Sequence, residues 1–151
     1  MGIKTLLIEE SEFIDFQLYG IATAFSDSPQ FIYNVNLSFH TRFERIKDLD
    51  VLIEHQMAYY PIYEWEDSST QIYYHIVKNS AYTLDAVQSL SNLSSLFDVT
   101  PTLIPQFKEY NYFLRISQED HNEIPLQENS FIQKITPLEV AKIKSISRLI
   151  F

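Results

Sequence analysis

The chain has 151 residues with 11 Lys and Arg against 20 Asp and Glu, a formal net charge of −9, so its average surface repels nucleic acid and anionic lipid. It is 46% hydrophobic and 15% aromatic, enough to fill one domain-sized core; two glycines and no cysteine exclude a glycine-rich phosphate cradle, disulfides and thiolate chemistry. No run approaches the roughly 18 apolar residues of a membrane span, and the first residues turn acidic before any signal-peptide core develops, so cytoplasmic residence is the expectation.

Residues 3–10, IKTLLIEE, predict a short opening strand. In residues 13–25, Ile14, Phe16, Leu18 and Ala22 alternate with Phe13, Tyr19 and Ile21, the pattern of a strand buried on both faces. Ser28 then serves as an N-cap with Pro29 at the first helical position. Phe31, Val35 and Phe39 follow at four-residue spacing, which predicts a helix ending near His40. Phe43 among charged neighbours reads as part of a half-exposed strand.

The strongest local signal is a pair of aromatic runs flanking the polar turn EDSST, residues 66–70, which predicts a hairpin of residues 59–66 with 71–78. Pro61 has no N–H for a ladder and requires an edge or a bulge there. Residues 79–101 read as a loop with a helical turn, YNYFLRIS as a central strand, HNEIPLQEN as a loop, SFIQKIT as a short helix and PLEVAKIKSI as a closing strand. The expected fold is one α+β domain over residues 1–151, mainly antiparallel sheet with two helices. Its element order resembles the split βαβ order of ferredoxin-like domains with extra strands.

IPQFKEYNY, residues 104–112, resembles the signature of the IPExxxVDY family of the Bacteroidetes. The aromatic and acidic run YPIYEWED, residues 60–67, also resembles a segment of that family. Ile104, Pro105 and Tyr112 keep the signature, whereas Gln106, Tyr110 and Asn111 stand where the family has glutamate, valine and aspartate. The resemblance implies a small cytoplasmic protein whose gene lies near those for ribonuclease III and pyruvate kinase, and it brings no established activity with it. Both lost acids became amides, which carry no charge and do not titrate near neutral pH. The signature therefore reads as structural: Pro105 stops a preceding turn, Gln106 and Asn111 satisfy backbone groups, and Tyr112, Leu114 and Ile116 face the core opposite Phe113.

Glu64, Glu66 and Asp67 around Trp65 form an acidic cluster, but EWED equally describes a solvent-facing strand with its tryptophan turned inward. The four histidines, His40, His55, His75 and His121, show no pair at metal-ligand spacing; His75, inside an aromatic strand, is the one candidate acid or base. Lys134, Lys142, Lys144 and Arg148 gather near the C-terminus and read as a solvated basic edge. No catalytic, cofactor-binding or metal-ligating set is expected, so the protein is read as a non-enzyme. YYPIYEW contains no lysine or arginine, which suits a protein partner better than nucleic acid. The expected function is an adaptor contacting a protein partner, or a second copy as a homodimer, through Tyr59, Tyr60, Tyr63 and Trp65. A domain holding a small regulatory ligand is the alternative; direct RNA binding is disfavoured by charge.

Overall fold

The computed structural model describes residues 15–82, 101–118 and 123–151. In chain order they form β1 (Gln17–Thr23), α1 (Ser28–Phe39), β2 (Glu44–Arg45), β3 (Leu49–Ile53), β4 (Gln56–Tyr60), β5 (Ile62–Asp67), β6 (Ile72–Lys78), β7 (Tyr112–Ile116) and β8 (Ile132–Leu138), with short 3-10 turns at Pro105–Phe107, Val140–Lys142 and Ile146–Leu149. A six-stranded sheet runs β2-β5-β6-β7-β1-β8, and β3 and β4 pair separately. The result is a single small α+β domain dominated by antiparallel sheet, with one helix among the described residues. The expected opening strand and most of the expected loop at 79–101 lie outside them.

β7 is buried at all five residues because it has a strand on either side and a layer on each face. Tyr112, Leu114 and Ile116 point to the layer of α1, with Phe31, Ile32 and Val35. Phe113 points the other way, among Phe16, Leu18, Tyr60, Leu103 and Ile104, where the β3–β4 hairpin and the C-terminal 3-10 turns close the core. This alternation is the expected one for both β7 and β1. Tyr112 stacks on Phe31 with ring centroids 4.2 Å apart and its hydroxyl donates to Phe25 O.

Several readings of the sequence are corrected. The N-cap of α1 is Asp27, whose carboxylate accepts the Gln30 N–H, because Ser28 is buried and its hydroxyl is bonded to that of Tyr63. The expected second helix at SFIQKIT is strand β8, paired antiparallel with β1 across a register shift at Ala22 and Thr23; Pro137 sits in it without loss because β8 is an edge strand. PLEVAKIKSI runs from the end of β8 into 3-10 turns instead of forming a strand. The expected split βαβ order is present in the sheet, since β1 and β6 run parallel on either side of β7 and β8 lies antiparallel beyond β1, but no helix among the described residues joins β7 to β8.

The expected hairpin forms as β5 and β6, in register from Ile62 with Val77 to Asp67 with Ile72. Tyr59 and Tyr60 belong instead to β4, paired with β3. Pro61 breaks the chain between β4 and β5, the role its missing N–H allows.

Candidate functional site

The signature residues converge on Asn79, which follows β6 directly and is buried. Its Nδ2 donates to the carbonyls of Phe107 (3.0 Å) and Tyr110 (2.9 Å), and its Oδ1 accepts the Ile104 N–H (3.0 Å). Its own N–H donates to Asn111 O and its carbonyl accepts from Leu103 N. One carboxamide therefore satisfies a loop that could not otherwise bury its backbone groups. Pro105 opens the 3-10 turn of this loop rather than stopping an earlier one. Gln106 accepts the Lys144 N–H (3.1 Å) and Asn111 accepts the Thr23 N–H (2.8 Å), the structural duty expected of both amides. Ile104, Tyr110 and Tyr112 are core residues. Asn79 itself carries no signal in KNSAY, since its partners are more than 20 positions away.

Of the four expected anchors, Tyr60 and Tyr63 are buried and cannot meet a partner. Tyr60 faces the core under the β3–β4 hairpin, and Tyr63 packs in the α1 layer, bonded to Ser28. Trp65 is half-buried, stacked on Tyr74 (5.0 Å) and tilted against Phe43 (5.7 Å). Tyr59 is different: it lies on the outer face of the β3–β4 hairpin, where the register sets it opposite Asp50 and sets Met57 opposite Leu52. Tyr82 forms a bridge with Tyr59 and stacks on it, centroids 5.8 Å apart. Leu52, Met57 and Tyr82 are 66%, 37% and 40% exposed, and a shallow recess beside Tyr59 and Tyr82 is rimmed by Lys47, Asp48 and Asp50. The hairpin turns at Glu54 and His55 with φ of 49° and 67°, left-handed values that non-glycine residues adopt at a cost. Glu54-His55 lacks the Asn-Gly signal of such turns, so the sequence reading passed over this hairpin.

A second polar feature crosses the sheet. Glu64, His75 and Arg115 are register partners in β5, β6 and β7. His75 Nε2 lies 2.9 Å from Glu64 Oε2, while its Nδ1 is buried without a hydrogen-bond partner. The Arg115 guanidinium sits between the rings of Phe16 (4.4 Å) and Phe151 (4.5 Å), and its Nε donates to Leu149 O. Burial pushes the His75 pKa down, against the hydrogen bond to Glu64 that raises it, and burial also lowers that of Arg115. The His75 and Arg115 side chains are buried beneath the C-terminal segment, so they anchor that segment, and the Glu64 carboxylate is the member of the row open to solvent.

Glu64, Glu66 and Asp67 line an open recess with Trp65, but no three carboxylate or imidazole groups converge on a point that suits a metal ion among the described residues. No helix of the described residues is long and apolar enough to cross a membrane. Compared with protein-family models, curated proteins and solved structures, the chain matches none.

Proposed function

We propose that the protein is a non-enzymatic cytoplasmic interaction domain that engages a protein partner through the outer face of the β3–β4 hairpin and Tyr82. The observation carrying this reading is the contiguous exposure of Leu52, Met57 and Tyr82 around the Tyr59 ring. Aromatic and methionine side chains gathered in one patch with a charged rim are the composition of an interface centre. β3 pairs on one side only among the described residues, so its other edge presents a backbone ladder to an extended segment of the partner. The surface keeps Tyr59 from the sequence reading and replaces Tyr60, Tyr63 and Trp65 by Leu52, Met57 and Tyr82. Ile104, Pro105 and Tyr112 support membership of the IPExxxVDY family as a divergent copy.

The test is affinity capture of the tagged protein from its host at near-physiological salt, with Leu52→Asp combined with Met57→Ser as control and sedimentation to detect self-association. Both side chains point outward, so the variant should fold. A partner, or a dimer, present with the wild type and lost in the folded variant is the expected result. Identical capture and identical sedimentation for the two proteins would remove the hairpin from the interface.

A further inference from the structure

We propose that the cleft between the end of β6 and the signature loop binds a small oxyanion, a phosphate or carboxylate group. The cleft has a volume of about 160 Å3, and its lining includes Lys78, Ser80, Thr102, Lys108 and Asn111. No carboxylate is among its lining residues, although acids outnumber bases by 20 to 11 in the chain. Two ammonium groups at one concavity therefore make a local positive field on an otherwise anionic surface.

The donors in the cleft are arranged rather than merely present. Lys78 Nζ donates to Ser26 O at 2.7 Å, which holds the ammonium at the wall and leaves two of its three protons for a ligand. The Thr23 N–H bond to Asn111 Oδ1 fixes the sense of that carboxamide, so Nδ2 is the group left over. It has no partner among the described residues. Lys108 likewise forms no ion pair among the described residues. Ser80 and Thr102, tied together by a β-bridge, add two rotatable hydroxyls. The carboxylates adjacent in sequence, Asp27 and Glu109, lie outside the lining, and Asp27 is engaged in capping α1. Ammonium, amide and hydroxyl donors around a cleft this size fit an anion of a few atoms, well below the roughly 300 Å3 at which pockets begin to take drug-sized molecules. The site lies within one chain and does not depend on the hairpin surface.

The experiment titrates the purified protein with sodium phosphate and with sodium acetate by calorimetry and thermal shift, against sodium chloride at matched ionic strength. Two variants accompany it, Lys108→Gln and Asn111→Asp. Both positions are exposed, and Asn111→Asp keeps the acceptor for Thr23 while putting a negative charge in the cleft. Saturable binding of phosphate, acetate or both is expected for the wild type, weakened at least about tenfold by Lys108→Gln and lost in Asn111→Asp. Phosphate alone would identify a phosphoryl ligand; acetate alone or both would identify a carboxylate-tolerant site. A response that is the same in all three salts, no saturable response up to tens of millimolar, or unchanged binding in folded Asn111→Asp would overturn the proposal.

Discussion

A Cβ added to Gly20 would stand 2.6 Å from Cγ and Cδ2 of the Tyr110 ring, so β1 and the signature loop interlock through an absent side chain on the strand and an aromatic ring on the loop. The glycine is required for space, since its φ is not in the left-handed region. Gly20→Ala should destabilise the fold by roughly 1–3 kcal/mol through overpacking. Tyr110→Val, which replaces the ring by the smaller residue of the resembled family, should recover part of that loss in the double variant, giving a coupling of about 0.5–3 kcal/mol. Urea unfolding of the four proteins measures it. Strict additivity of the two substitutions would mean that the ring is free to move away.

Asn79 carries the loop of residues 103–111 on one buried carboxamide. Truncation to alanine strands the Ile104 N–H and the Tyr110 carbonyl, while Phe107 O keeps the Tyr110 N–H, and each unsatisfied buried group costs about 1–3 kcal/mol. A total loss of about 2 kcal/mol or more is expected, read as a lower urea midpoint. Asn79→Asp keeps the shape and the acceptor for Ile104 but not the two donors, so at neutral pH it should fall at least as far as alanine. A mild effect of Asn79→Asp would place the importance of the site in packing alone.

His75 is held neutral in the folded protein, because burial lowers its pKa from 6.5 and outweighs the hydrogen bond to Glu64, with Arg115 adding to the lowering. The unfolded chain takes up the proton first. Stability should therefore be fully present above about pH 6.5 and fall as the pH drops below it, levelling only once the folded imidazole is also protonated. His75→Gln removes this titration. Chemical denaturation from about pH 7.5 down to about pH 5 should show a steeper loss for the wild type than for the variant; parallel curves would mean that the buried imidazole is not the titrating group.

Local pattern made much of the architecture legible. Apolar spacing identified α1, alternation identified the two-faced burial of β1 and β7, and EDSST marked the turn between β5 and β6. The misreadings occur where local and distant preferences diverge. Ile132 and Ile135 at three-residue spacing imitate a helix, but the backbone of that segment completes the ladder beside β1. Leu52 and Met57 sit in runs that alternate normally, and only their pairing across Glu54 and His55 puts both outside together. The signature loop was readable as structural, since Gln106 and Asn111 are amides where a catalyst would need acids, yet its organiser Asn79 was invisible.

The sequence by itself determined the class of the protein: an anionic α+β chain with one aromatic-rich core and no glycine loop or thiol chemistry, because composition and short-range periodicity depend only on residue types and neighbours. The tertiary structure alone decided which aromatics face outward and which are core. Tyr59 and Tyr60 are adjacent and chemically identical, but the β3–β4 register turns one outward and buries the other. It also gathered Lys78, Lys108 and Asn111 around one cleft. Such placements are fixed by pairings between residues tens of positions apart, and a one-residue change of register would exchange every inward and outward side chain of a strand.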